Sequence, residues 1–336
     1  MNEPNSTVPI ETEPPPPAYK NRSGGLIVFG VLTILLGALS GLMVPLMLLG
    51  QAINARNPNA APTSLAMLLP GLLIYGGLAV ALIWLGIGSI KARRWARALL
   101  LIFAWSWLVM GVVTVAVMAV VLPKIVANIN NNMPAGQQGI PATAVGVIMF
   151  ITCLVFGFMF ILVPAVWVFF YSSRHVKATC EARDPVVRWT DKCPLPVLAI
   201  SLWLWLAVPM FVLMPVAYHG VAPFFGSFIQ GALGGLFYLL LAAIWAWAAW
   251  RLYRLDVRAW WVLLATLVLF SLSNLLTYTH HDILEMYRLI GYPEAQIEQI
   301  QKTGLLTGNS MAWFTAFSMV PFLGYLLFVK KYFRVK

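Results

Sequence analysis

Five polar residues recur at helical spacing near the end of one long apolar stretch. They are Ser271, Asn274, Tyr278, His281 and Glu285, and successive members lie 3, 4, 3 and 4 residues apart. Side chains at these intervals project from one face of an α-helix. Because imidazole and carboxylate groups together suit zinc and similar ions, this face predicts a ligand-binding groove that ends in a metal site.

The metal hypothesis takes its ligands from His280, His281 and Glu285. The HExxH spacing typical of zinc enzymes is absent, which weakens a catalytic interpretation. In the alternative interpretation, Ser271 and Asn274 hydrogen-bond neighbouring membrane helices, and the histidines only mark the membrane surface. We therefore expect no catalytic residue and no cofactor, and we keep the metal site as the weaker hypothesis.

The elements that position these residues are membrane helices. Of 336 residues, 61% are apolar and 10% are charged, whereas soluble domains carry about 25% charged residues. Crossing about 30 Å of hydrocarbon takes roughly 20 apolar residues in a helix. Eight runs without Asp, Glu, Lys or Arg meet this need: 25–50, 64–90, 98–122, 142–171, 196–218, 225–250, 259–278 and 310–329. The sequence predicts an all-α membrane protein with about eight transmembrane helices.

Basic residues predict how the chain is oriented. Successive polar segments carry 2, 1, 4, 1, 5, 0, 3, 2 and 4 Lys or Arg residues, so alternate segments sum to 18 against 4. Because cytoplasmic segments carry the excess of basic residues, we expect a cell-membrane protein with both termini in the cytoplasm. The same excess predicts anionic lipid headgroups at the cytoplasmic face as partners. Insertion alone explains the charge, so nucleic acid is not expected.

The charge pattern and the apolar runs divide the chain into four regions. We predict a disordered proline-rich cytoplasmic tail at 1–24 and a first four-helix unit at 25–171. A basic cytoplasmic loop at 172–195 precedes a second four-helix unit at 196–336. That unit contains an outer amphipathic loop at 279–309, read as two short helices that cap the bundle or lie on the membrane.

Landmarks that recur at an offset of about 160 residues predict a tandem duplication of the four-helix unit. They are Pro45 with Pro215, Ala61-Pro62 with Ala222-Pro223, Arg97 with Arg258, Pro134 with Pro293, and Pro164 with Pro321. Units with an even number of crossings share one orientation, as in parallel transporter repeats. Chance remains the competing explanation, because a chain with 22 prolines permits accidental matches.

Two pairs of glycines have the GxxxG spacing that lets helix backbones approach closely. They are Gly37 with Gly41 and Gly231 with Gly235. Packing within one chain is the first interpretation, and a homo-oligomer through either pair is the alternative. Cys180 and Cys193 flank the basic loop, where reduced thiols without a metal are expected.

Function is the least constrained property. The apolar runs contain no acid or base, although transporters coupled to ions and proton relays need ionisable groups at membrane depth. No Walker sequence, Rossmann glycine pattern or nucleophile elbow is present. We therefore expect a non-catalytic membrane scaffold or interaction subunit. A transporter of a small or amphiphilic solute is the first alternative, and a metal-assisted enzyme at the outer surface is the second.

Overall fold

Eight helices of the described chain are long and apolar enough to cross a membrane, which confirms a multi-pass helical architecture. The computed structural model describes residues 19–56, 65–131, 141–302 and 310–333. In chain order its elements are α1 (Ser23–Asn54), α2 (Leu65–Ile90), α3 (Arg94–Asn131), α4 (Ala142–Gly157), α5 (Val163–Ser172), α6 (Arg174–Arg183), α7 (Leu195–Ala217), β1 (Ala222–Phe224), β2 (Ser227–Ile229), α8 (Gly231–Tyr253), α9 (Val257–His280), α10 (Ile283–Ile290), α11 (Glu294–Lys302) and α12 (Ser310–Val329). A π-helical turn, Phe158–Leu162, joins α4 and α5 into one span.

The first half is organised around the contact of α1 with α2, where glycines let the two backbones approach. A Cβ added to Gly30 would lie 2.8 Å from the carbonyl oxygen of Gly86, and one added to Gly86 would lie 2.6 Å from that of Gly30. Gly37 and Gly41 continue the same face, where an added Cβ would meet Ala79 at 3.1 and 3.4 Å. The surface of α1 that carries the predicted GxxxG pair is thus covered by α2 of the same chain.

The second half is built from two helix pairs, α7 with α8 and α9 with α12. The hydroxyl of Ser201 donates to the carbonyl of Ala249 at 2.8 Å and joins the first pair. The fully buried Trp260 donates its indole N–H to the carbonyl of Leu326 at 2.9 Å and joins the second. The other predicted glycine pair is packed less closely. A Cβ added to Gly235 would lie 3.6 Å from Pro215, and one added to Gly231 would meet no atom within 4 Å.

The two halves meet where α7 contacts α2 and α3. Trp203 on α7 donates its indole N–H to the hydroxyl of Ser106 on α3 at 2.7 Å. Ile102, also on α3, belongs to the buried cluster of the second half, and Leu195 packs against the buried clusters of both halves. The halves are therefore joined by side chains of both units.

The basic segments lie together at one end of the bundle, which we call the basic end. The connecting contacts are the Lys20 backbone N–H to His175 Nδ1 (3.2 Å), Arg93 to Asp184 (3.6 Å), the Tyr253 hydroxyl to the Trp189 carbonyl (2.9 Å), and Lys330 Nζ to the Trp260 ring centre (4.7 Å). The opposite end carries β1 and β2, and we call it the hairpin end. The alternation of charge in the sequence thus corresponds to two physically distinct ends.

Asp184 anchors the segment between the two halves. Its side chain is 2% exposed and is covered by arginines rather than by apolar residues. The guanidinium of Arg188 lies 3.1 Å from its carboxylate, that of Arg93 lies 3.6 Å away, and the backbone N–H of Arg94 donates to it at 3.4 Å. Burial alone would raise the pKa of Asp184, but these hydrogen bonds and charges outweigh burial and lower the pKa. The carboxylate therefore stays ionised and ties α6 to the turn before α3.

The predicted outer loop does form two short helices, α10 and α11. They are separated at Gly291, whose left-handed backbone (φ 91°) suits glycine. Ile283, Met286 and Ile290 of α10 are buried, so this helix packs on the bundle. Residues 1–18 of the predicted tail, residues 303–309 of the loop, and the duplication landmarks Ala61, Pro62 and Pro134 lie outside the described residues.

We expect Asp184→Asn to destabilise the protein by about 2 kcal/mol at neutral pH, since it removes the charge that strengthens these hydrogen bonds. A carboxylate with a lowered pKa in the folded state stabilises above the unfolded value, about 3.9, and loses that contribution as pH falls through the folded value. The difference between wild type and variant should therefore shrink below about pH 4. Unfolding in a non-ionic detergent, followed by tryptophan fluorescence across pH, measures it.

Glu294→Gln is the matched control, because Glu294 forms an exposed ion pair with Arg288 at 3.3 Å. Exposed pairs contribute roughly 0 to 1 kcal/mol. Equal losses in the two variants, or an Asp184 effect that does not change with pH, would contradict the proposed role of the carboxylate.

Candidate functional site

The predicted polar face is only partly realised. Ser271 donates its hydroxyl to the carbonyl of Leu267 at 2.5 Å, and Asn274 donates its amide to the carbonyl of Phe270 at 2.7 Å. Both bonds return to the preceding turn of α9, a common way to satisfy polar side chains within a helix. Each of these two residues therefore uses one donor within its own helix.

The face also ends earlier than the spacing predicted. α9 stops at His280, His281 is extended, and Asp282 caps the separate helix α10 by accepting a hydrogen bond from the Leu284 N–H at 3.4 Å. Glu285 therefore lies on α10. One continuous helical face through all five residues was a wrong prediction, because the Asp282 cap starts a new helix between His281 and Glu285.

Of the predicted residues at the hairpin end, the structure brings His281 and Glu285 together. His281 Nδ1 lies 2.8 Å from Glu285 Oε2, and both side chains are partly exposed. Tyr278 is buried and points its hydroxyl at the sulfur of Met286, 3.2 Å away. His280 turns back instead, with Nδ1 2.8 Å from the carbonyl of Leu276.

This arrangement limits the metal chemistry of the site. Within the described ranges, no three His, Cys, Asp or Glu side chains are grouped so that they could hold a metal ion. Zinc sites in proteins generally use three or four protein ligands. The pair of His281 and Glu285 supplies two, and His280 does not join them. The pair therefore forms a hydrogen-bonded contact between the two short elements at the protein surface.

A β-hairpin between α7 and α8 was missed by the sequence analysis. Ala222 pairs with Ile229 and Phe224 with Ser227 in antiparallel register. Phe225 and Gly226 form the two-residue turn, both with positive φ (41° and 92°), as primed hairpin turns require. The predicted sixth helix at 225–250 therefore starts too early, since α8 begins at Gly231. The sequence misled because the apolar residues of the turn and of β2 resemble the start of a membrane span.

Two other residues of α9, Ser273 and Thr277, hold this hairpin in place. Ser273 Oγ accepts a hydrogen bond from the Phe225 N–H at 3.0 Å, and its hydroxyl lies 3.2 Å from the carbonyl of Pro223. Thr277 Oγ1 accepts from the Gly226 N–H at 3.1 Å. Both side chains are almost fully buried. The spacing of four residues between them was the available signal, but it became meaningful only once the hairpin was known.

Apolar side chains complete the hairpin end. The buried cluster comprises Val221, Tyr278, Ile283, Met286, Ile290 and Ala312. Phe228 of β2 lies against it, with its ring centre 6.2 Å from that of Tyr278 and 5.6 Å from that of His281. Burial raises the pKa of Tyr287 and Tyr218 at the edge of this cluster, so both stay neutral. The hairpin and α10 thus form one packed cap over α9, which we call the hairpin cap.

We expect Thr277→Val and Ser273→Ala each to destabilise the hairpin cap by about 0.5 to 1.5 kcal/mol, because each removes the acceptor of a backbone N–H in the hairpin turn. Hydrogen exchange at Phe225 and Gly226 should become faster, as measured by mass spectrometry of peptides covering 221–230. Ser271→Ala is the control, since its hydroxyl bonds only to its own helix. Unchanged exchange in the first two variants would show that these hydroxyls do not hold the hairpin.

No protein-family model, curated protein or solved structure matches this chain. The function must therefore be inferred from the geometry of the chain itself.

Proposed function

We propose that the protein is a non-catalytic membrane scaffold or interaction subunit. The observation that carries this proposal is the use of the polar groups on α9. Ser273 and Thr277 hold the hairpin, while Ser271 and Asn274 bond to their own helix. Of the polar groups that suggested a solute path, Ser271 and Asn274 bond within their own helix, which supports a rigid bundle over a transporter.

The span formed by α4, the π-helical turn and α5 is the proposed interaction surface. None of the residues in its most apolar 18-residue window is buried. One side of this span packs on α3, through α4, the π-helical turn and most extensively α5. The approach is close at the π-helical turn, where a Cβ added to Gly111 would overlap the carbonyl of Phe160. Phe150, Phe158 and Phe169 are 69%, 53% and 78% exposed. We infer that this face binds a helix of another membrane protein, because the chain's own helices cover this span less than any of the other seven described spans.

We further propose that the basic end lies in the cytoplasm of a cell-membrane protein. The described segments gathered there carry 16 of the 22 Lys and Arg residues, while Arg334 and Lys336 lie outside the described residues. Segments rich in basic residues are retained on the cytoplasmic side during insertion. Anionic headgroups are the corresponding lipid partners.

A tandem duplication is part of the same proposal. The turns after α2 and after α8 have the same hydrogen bonds: Lys91, Ala92 and Arg93 donate to residues four, three and five positions earlier, and so do Arg254, Leu255 and Asp256. Ala92 and Leu255 occupy the same place with φ of 49° and 59°. Helices usually end this way with glycine, so the shared exception supports common descent of the two halves.

The closed bundle can be tested by thiol labelling. In a variant with Cys153, Cys180 and Cys193 replaced by Ala, we expect Thr279→Cys to react with a membrane-impermeant maleimide applied outside intact cells. Asn274 lies within the membrane-spanning helix α9, so in a closed bundle Asn274→Cys should react far more slowly. Equal labelling at both positions would favour the transporter. Labelling of Thr279→Cys only in inverted vesicles would show that the orientation is opposite to the one proposed.

The interaction surface can be tested by photo-crosslinking in cells. A photoreactive phenylalanine analogue at Phe158 should yield one product of defined mass that contains a second membrane protein. The control position is Leu240 on α8, which is similarly exposed at 55% and should yield only lipid products. If only crosslinks to lipid form at both positions, the scaffold proposal is contradicted.

A further inference from the structure

The basic end contains a cavity of about 250 Å³ between α3, α6 and the short helical turn Trp189–Asp191. Its lining includes Arg94, Arg97, Lys177, Cys180, Thr190 and Leu195. This volume is far larger than one water molecule needs. The cavity lies where α3 and α7 begin, beside the segment that joins the two halves.

The cations around this cavity exceed the acids. The cluster contains the cationic side chains of Arg93, Arg94, Arg97, Lys177 and Arg188 and the carboxylates of Glu181, Asp184 and Asp191. Every one of these carboxylates already has a cation within 4 Å: Arg94 pairs with Glu181 and Asp191, Lys177 with Glu181, and Arg93 and Arg188 with Asp184. All three carboxylates therefore form ion pairs, and these pairs involve four of the five cations.

Arg97 is the cation that remains. Among the described residues, no carboxylate lies within ion-pair distance of its guanidinium, and its buried Nε has no hydrogen-bond acceptor. A partly buried guanidinium without an acceptor is unfavourable unless an anion or water supplies one. Arg97 therefore has free donors that line a cavity.

Thr190 provides a second unpartnered group in the same cavity. The residue is 2% exposed, and its Oγ1 has no hydrogen-bond partner in the part of the chain that the structure describes. Buried hydroxyls nearly always have a partner. An unpartnered hydroxyl and an unpartnered guanidinium that line one cavity indicate a ligand with several acceptor oxygens.

The remaining lining does not oppose an anion. Burial raises the pKa of Cys180 and of Cys193 to about 11, so both thiols are neutral at pH 7. Ala98 and Leu195 contribute apolar surface. The two carboxylates at the cavity, Glu181 and Asp191, are neutralised by Arg94 and Lys177.

We propose that the basic-end cavity binds a phosphate group through the guanidinium of Arg97 and the hydroxyl of Thr190. Arginine presents parallel N–H donors that match two phosphate oxygens, and a threonine hydroxyl donates to a third. The phosphate belongs either to a lipid headgroup or to a soluble phosphate, since both present the same oxygens. This site does not depend on the scaffold proposal.

The test uses the purified full chain in a neutral detergent, with two probes. In the first arm, sodium phosphate is titrated against sodium chloride at equal ionic strength, and the unfolding temperature is measured. In the second arm, phosphatidylglycerol is titrated and bound lipid is counted by native mass spectrometry. A rise in unfolding temperature with inorganic phosphate identifies a soluble ligand. One lipid retained per chain, with no stabilisation by inorganic phosphate, identifies a lipid headgroup.

Three variants assign the binding to the cavity. We expect Arg97→Gln to abolish it and Thr190→Val to weaken it about tenfold, as the loss of one hydrogen bond to a charged group predicts. Arg258→Gln is the matched control, because Arg258 has the corresponding place near the start of α9 but is exposed. Thr190→Val nearly preserves side-chain volume, so it keeps the test valid even if Arg97→Gln does not fold.

Binding that survives both cavity variants, or that is lost equally in Arg258→Gln, would overturn the proposal. So would the absence of binding by the wild-type chain in both arms, because the unpartnered groups would then be satisfied by water alone.

Discussion

Hydrocarbon offers no hydrogen bonds, so every polar group within the membrane must find a partner inside the protein. The apolar runs carry no Asp, Glu, Lys or Arg. Thr33, Ser40, Thr114 and Thr266 each donate to a carbonyl of the preceding helical turn. Because charge is excluded from the interior, the ion pairs among the described residues are confined to the two ends.

The two ends meet this constraint with different chemistry. At the basic end, ion pairs around Asp184 hold α6 and the turn before α3, and one arginine is left over. At the hairpin end, neutral hydroxyls of Ser273 and Thr277 hold the hairpin, and aromatic and aliphatic side chains exclude water. The basic end is therefore held mainly by ion pairs, whereas the hairpin end is held mainly by neutral hydrogen bonds and apolar packing.

The sequence was sufficient for the spans and insufficient for the contacts between them. Long apolar runs identify membrane helices because the bilayer selects for hydropathy alone. The same property hides the hairpin, since Phe225 and Phe228 in a hairpin look like residues of a span. It also hides the buried face of α9: its neighbours are apolar on most sides, so periodicity could not distinguish Ser271 and Asn274 from Ser273 and Thr277. The basic-end cavity required knowledge of which loops meet.

The most extensive helix contacts join neighbours in sequence, α1 with α2 and α7 with α8. Contacts between neighbours close short loops, and proteins rich in them assemble quickly. The first pair can therefore associate during translation, at roughly 5 to 20 residues per second, before the ribosome has reached the second half. Biogenesis in successive helical pairs would leave few helices in the lipid without a packing partner.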